Sequence, residues 1–179
     1  TVLRTGRTRS LSGVVIVAVM TRPAPCPHGR CDYCPGGPAV GAPQSYTGGE
    51  PAALRALQNQ FDPYLHVQNR IAQYYATGHP VDKLELIIMG GTFPSQALSY
   101  QKEFIRRCID ATLPKPALNM LDAQAQAEIA PIRISGITVE TRPDTCTWEI
   151  ISNMLGFGVT RFEMGVQTTS DEVYQRVHR

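Results

Sequence analysis

Val14–Met20 is an unbroken apolar run dominated by valine, and it opens an alternation that continues to the end of the chain. A run this short and this rich in β-branched residues predicts a buried strand. Residues 84–89, 134–139 and 159–166 repeat the pattern and predict three further strands. Between these runs the apolar residues recur at helical spacing. Helices are expected over 50–60 and over 63–77, where Asp62 is placed to cap, Pro63 suits the first turn and Gly78 ends the element. A helix over 98–112 carries Leu98, Ile105, Cys108, Ile109 and Thr112 along one side and is closed by Pro114 and Pro116. The Ala/Gln-rich stretch 117–129 reads as helical but weakly patterned. A helix over 148–155 stops at Gly156 and Gly158, and a last one opens on Thr169-Ser-Asp-Glu172, a capping-box pattern.

Strands alternating with helices of this length demand a parallel sheet with right-handed crossovers, an α/β fold. Every predicted strand ends in an unusual motif: a cysteine loop after the first, Gly90-Gly91-Thr92-Phe93-Pro94 after the second, Glu140-Thr141-Arg142-Pro143-Asp144 after the third, and Gly165-Val166-Gln167 after the fourth. Taken singly, a double glycine is more often a tight turn, and a Glu-x-Arg more often a surface ion pair. In parallel α/β folds, however, the C-terminal edge of the sheet carries the site, so all four motifs should face one crevice.

The first motif, Cys26-Pro-His-Gly-Arg-Cys-Asp-Tyr-Cys-Pro-Gly-Gly-Pro38, gathers three thiols on one short loop. Thiolates are soft ligands and can converge on one centre from so short a segment. A fully protected iron-sulfur cluster needs four cysteines, so three leave one iron free to bind something else. A structural zinc knuckle with His28 as fourth ligand is the other reading of the loop. Cys108 and Cys146 are isolated and read as small buried hydrophobes. The Pro/Gly-rich stretch 35–49 continues directly from the cysteines and reads as an ordered loop over the site.

Composition narrows the setting. A chain of 179 residues that is 42% hydrophobic can bury one good core, and it predicts one domain. Five cysteines, three of them in one cluster and none at disulfide-like intervals, fit a reducing compartment, with the cytoplasm as the default. Arg4, Arg7 and Arg9 before an apolar run superficially imitate a signal peptide, but Arg22 and Pro23 interrupt it and the run is too short to span a bilayer, so no membrane partner is expected. The start at Thr1 and the stop at Arg179 inside a predicted helix lead us to expect a piece of a longer protein.

The cysteine loop on the first strand of a parallel sheet, with Gly-Gly-Thr on the second, resembles the radical S-adenosylmethionine (SAM) enzymes. That superfamily commonly has three residues between the first two cysteines; this chain has four. The longer spacing, together with Ser45-Tyr-Thr-Gly-Gly-Glu-Pro-Ala-Ala-Leu-Arg55, Leu86-Ile-Ile-Met-Gly-Gly-Thr-Phe-Pro-Ser95 and Glu140-Thr-Arg-Pro-Asp144, is similar to the Elongator catalytic-subunit family in its bacterial and archaeal form.

The resemblance implies a truncated, parallel-sheet partial (β/α) barrel: a basic N-terminal arm over 1–13, a radical SAM domain over 14–179, and an acetyltransferase-like domain absent from these residues. It implies that Cys26, Cys31 and Cys34 hold a 4Fe-4S cluster whose free iron takes the amino and carboxylate groups of S-adenosylmethionine. Tyr33 would sit near the adenine. Gly90, Gly91 and Thr92 would offer backbone to the methionine amino group, and Glu140 and Gln167 would reach other polar groups of the cofactor. In the family, electron transfer from the cluster splits the cofactor into methionine and a 5'-deoxyadenosyl radical. That radical acts on the methyl of acetyl-CoA, and the product adds to C5 of the wobble uridine of tRNA, on the way to carboxymethyluridine. Further implied partners are a reductant for the cluster, and additional subunits or a second copy.

A net charge of +2 is a weak electrostatic footprint for RNA, and Arg4, Arg7 and Arg9 read as RNA-binding only through the resemblance. Two rival readings stay open. One is a zinc- or cluster-stabilised RNA-binding module without catalysis; the other is a radical SAM enzyme acting on a different substrate, such as a porphyrin or thioether.

Overall fold

The computed structural model describes residues 11–179, so the expected contacts of Arg4, Arg7 and Arg9 lie outside the described residues. Among the described residues four strands form one sheet: β1 (Val14–Met20), β2 (Lys83–Met89), β3 (Arg133–Thr141) and β4 (Arg161–Met164). They pair in the order β1-β2-β3-β4, each parallel to the next. The helices are the returns that parallel pairing requires. α1 (Pro51–Gln58) and α2 (Pro63–Ala76) lead from β1 to β2, α3 (Leu98–Asp110) and α4 (Met120–Ile129) from β2 to β3, and α5 (Trp148–Gly156) from β3 to β4; α6 (Asp171–Arg176) follows. The sheet does not close, which makes it a partial barrel.

Strand alternation divides the two faces. Val15, Val17 and Val19 of β1, Leu84, Leu86 and Ile88 of β2, and Ile137 and Val139 of β3 are buried in one cluster with Val67 and Ile71 of α2, Phe104, Ile105 and Cys108 of α3, and Met154 of α5. Each such side chain contributes about 1.5–3 kcal/mol on full burial, so this layer holds the fold together. The opposite face carries Glu85, Thr138, Glu140, Arg161 and Glu163, with an ion pair of 2.6 Å from Arg161 to Glu85 crossing it. Its C-terminal end is covered by a small cluster of Met20 with Ala52, Ala53 and Ala56 of α1.

Local chemistry explains most boundaries. Asp62 caps α2 by accepting the Leu65 amide at 3.0 Å, and Asn119 caps α4 through Asp122 at 3.0 Å. The weak pattern of α4 has a simple cause: Met120 and Ala123 are buried while Leu121 and Ile129 point outward, so apolar residues stand on both sides. β4 is shorter than the apolar run, because the Val159 amide closes the end of α5 on the Met154 carbonyl at 3.0 Å and the Thr160 hydroxyl engages Ile137. The last helix is capped by Ser170, whose hydroxyl accepts from Val173, and not by Thr169. Leu98 is exposed at the start of α3. Cys108 is fully buried, but Cys146 is only half-buried, since it follows the 3-10 turn Pro143–Thr145 on the surface side of the sheet edge. His66 of α2 is buried, with both ring nitrogens lacking a hydrogen-bond partner. Among the described residues no helix is long and apolar enough to cross a membrane.

Candidate functional site

Parallel pairing sets Met20 beside Met89, and Thr141 beside Met164, so the four strand-end motifs leave the sheet at one edge. They enclose a cavity of about 390 Å³. Cys26, Cys31, Tyr33 and Cys34 line it from the loop after β1, Gly91 and Thr92 from the end of β2, Glu140 from β3, and Gln167 from beyond β4. Gly90 is not among the lining residues; the space beside its Cα is taken by the Thr21 hydroxyl.

The cysteine loop is shaped by its own backbone. The Gly29 amide donates to the Cys26 carbonyl at 3.0 Å and the Cys34 amide to the Cys31 carbonyl at 2.9 Å, so two successive turns bring the three thiols inward. All three are buried, and each sulfur meets a polar group: Cys26 the Thr92 hydroxyl at 3.2 Å, Cys31 the His28 Nε2 at 3.1 Å, and Cys34 the Ser45 amide at 3.3 Å and the Gln44 Nε2 at 3.5 Å. Burial pushes the Cys26 thiol up, while Thr92 and Arg142 draw it back down.

The double glycine acts first on packing. A Cβ on Gly91 would stand 2.8 Å from the Gln44 carbonyl oxygen, and its φ of +75° is left-handed; a Cβ on Gly90 would strike the Thr21 hydroxyl. The pair therefore lets the end of β2 pass between the end of β1 and the loop 35–49 that folds back over the site.

That loop supplies residues to which the sequence assigned no role in the site. Tyr46 donates its hydroxyl to Glu140 Oε2 at 2.6 Å. Burial raises the Glu140 carboxyl, and Glu163, its register partner on β4, raises it further against the lowering effect of the Tyr46 and Gly90 donors. Burial beside that carboxylate also pushes the Tyr46 phenol well up. Arg142 is buried and forks onto Asp144, with Nε and Nη2 each 2.8 Å from a carboxylate oxygen, and its Nη1 contacts the His28 ring. Burial and this guanidinium hold His28 below the usual imidazole range. Arg179 donates to the Tyr33 hydroxyl at 2.6 Å and to the Gly165 carbonyl. The placement of the loop as a cover over the cysteines was the signal for Gln44, Ser45 and Tyr46; Glu163 becomes visible only once the β3–β4 register is known.

Residues 24–179 match the Radical SAM superfamily. The chain belongs to that superfamily. It is 49% identical over 181 residues to the tRNA uridine(34) acetyltransferase of Methanocaldococcus infernus, covering 99% of this chain and 34% of that protein. Over 179 residues it is 42% identical to Elongator complex protein 3 of Homo sapiens, covering 96% and 33%. The solved structure of the archaeal Methanocaldococcus infernus Elp3 with an N-terminal deletion superposes with a TM-score of 0.70 at 38% identity, over 92% of this chain and 31% of that one. The chain thus spans about a third of the length of the curated relatives it matches.

Membership of the Radical SAM superfamily implies S-adenosylmethionine and a 4Fe-4S cluster. The residues present fit such a group. Three buried thiols from one short loop all line the cavity, and thiolates are the ligands that a 4Fe-4S cluster takes.

Proposed function

We propose that this chain is the radical SAM portion of an enzyme that modifies the wobble uridine of tRNA, with residues 14–179 forming its radical SAM domain. The observation that carries the reading is the convergence of Cys26, Cys31 and Cys34 with Thr92, Glu140 and Gln167 on one cavity, in a chain whose relatives are named tRNA uridine(34) acetyltransferases.

In this reading Cys26, Cys31 and Cys34 hold the cluster. Gly91 and Thr92 present backbone to the cofactor's amino group, with Gly90 shaping the turn behind them, Tyr33 lies toward its adenine, and Glu140 and Gln167 take its remaining polar groups. When bound, the cluster and S-adenosylmethionine together supply radical hydrogen abstraction. The protein's share is to orient. Tyr46 fixes the Glu140 carboxylate, and the loop 35–49 folds over the cysteines to complete the cavity wall. Acetyl-CoA is the group donor and is bound chiefly by an acetyltransferase-like domain of the full-length protein. C5 of the uridine is the acceptor, and Arg4, Arg7 and Arg9 contact tRNA phosphate.

The test uses the full-length protein carrying this chain, reconstituted with iron and sulfide and reduced. Formation of 5'-deoxyadenosine should rise when tRNA with a wobble uridine is added together with acetyl-CoA. Equal formation with a tRNA bearing cytidine at that position would contradict the proposed substrate.

A further inference from the structure

Every thiol of the cysteine loop has a donor of its own, drawn from a different part of the chain. Cys26 meets the hydroxyl of Thr92 from the end of β2, Cys31 meets His28 within the loop, and Cys34 meets both the side-chain amide of Gln44 and the backbone amide of Ser45. Once a thiolate binds metal it has no proton to give, so in each pair the other group must donate.

The donors are held in place by the local backbone and packing. Gln44 is 6% exposed, and its carbonyl occupies the space that Gly91 leaves by lacking a Cβ. Ser45 adopts a left-handed backbone with φ of 69°, unusual for a non-glycine residue, and this conformation accompanies its amide's approach to Cys34. Thr92 is 5% exposed, and its φ of −138° and ψ of 60° lie outside the regular regions at the start of the turn Phe93–Ser95.

Donors to cluster sulfurs draw electron density from them and stabilise the reduced state, which carries the extra negative charge, more than the oxidised one. We propose that Thr92 and Gln44 are positioning residues that set the reduction potential of the cluster, raising it by hydrogen bonds to Cys26 and Cys34. This rests on the assignment of the three cysteines as cluster ligands, and it adds that the Thr92 side chain serves the sulfur while its backbone faces the cofactor.

The test is a redox titration of reconstituted protein followed by electron paramagnetic resonance, without S-adenosylmethionine or tRNA and with iron and sulfide measured on each sample. Thr92→Val and Gln44→Glu keep the shape of each side chain and remove its donor. Both should shift the midpoint to more negative potential, Gln44→Glu further because it sets a carboxylate against a thiolate, while Thr92→Ser should restore the wild-type value. A folded Thr92→Val that takes up no cluster while Thr92→Ser takes up a full one would overturn the proposal for Thr92, since the hydroxyl would then be needed to build the cluster and not to tune it. Wild-type midpoints in both donor-less variants with full clusters overturn it, as does a Thr92→Ser midpoint matching that of Thr92→Val. A wild-type protein that assembles no 4Fe-4S cluster would instead overturn the ligand assignment beneath it.

Discussion

The Tyr46 hydroxyl donates to Glu140 Oε2 at 2.6 Å and ties the loop over the cysteines to the third strand. Glu140 is a half-buried carboxylate that accepts from Tyr46, with Glu163 paired beside it. Removing one partner from such a group typically costs about 1–3 kcal/mol. Tyr46→Phe should therefore weaken S-adenosylmethionine binding by roughly tenfold or more. Equilibrium dialysis on reconstituted protein reads this directly, and unchanged affinity would show that Tyr46 only packs.

Glu140 also links the site to stability. Its carboxyl is raised in the folded state, chiefly by burial, so the folded protein takes up its proton more readily than the unfolded chain does. Stability from this group is present when the carboxyl is protonated and is lost as pH rises through its folded value. Glu140→Gln should raise the melting temperature of the cluster-free protein at neutral pH, and the gain should vanish in acid below the ordinary carboxylate range. A neutral-pH melting temperature at or below wild type would contradict this.

Gly91 is constrained twice, by its φ of +75° and by the Gln44 carbonyl that a Cβ would meet at 2.8 Å. Gly91→Ala should lower unfolding free energy by about 1–3 kcal/mol, the usual range for a residue forced into the left-handed region, and should loosen Gln44 from Cys34. Urea unfolding measures the first effect. A loss below a few tenths of a kcal/mol would mean that the end of β2 moves aside freely.

His66 offers a test away from the cavity. Burial first, then the charges of Arg55 and Arg70, push its imidazole down to about 4. The unfolded chain binds this proton near pH 6.5 and the folded protein does not, so stability is full above that pH and is lost as pH falls toward 4. The full loss is on the order of 3 kcal/mol. His66→Phe, which keeps the volume, should flatten this part of the pH dependence in urea unfolding at pH 7.5 and pH 5. An identical slope in both proteins would show that His66 is not its source.

Much of this was legible in the chain because single residues carried it. Val14–Met20 read as a strand from its valines, although Ile16 on the second face is exposed; Asp62 and Pro63 marked the start of α2, and the positions of the motifs after four apolar runs placed them at one sheet edge. What stayed hidden depends on chain segments meeting. The Val159 amide is taken by α5 and not by a neighbouring strand, which shortens β4. Cys146 looks like core by residue type but lies on a surface turn. Gln44 and Tyr46 act only because their loop folds back across the strand ends, and Glu163 only because its register sets it beside Glu140. The Gly-Gly pair suggested close approach to a ligand, whereas the nearest obstacles to a side chain there are Thr21 and Gln44 of the protein itself.

The central claim is that the cysteine loop holds the cluster at the cavity. Iron and acid-labile sulfide should be measured after anaerobic reconstitution of the wild-type chain and of Cys26→Ala, Cys31→Ala, Cys34→Ala, Cys108→Ala and Cys146→Ala, with Mössbauer spectra to identify the species. The wild type, Cys108→Ala and Cys146→Ala should each carry a full 4Fe-4S complement, and each loop variant should lose it. A loop variant that retains the full cluster, loss of the cluster in a folded Cys108→Ala or Cys146→Ala, or stoichiometric zinc in the wild type would contradict the account.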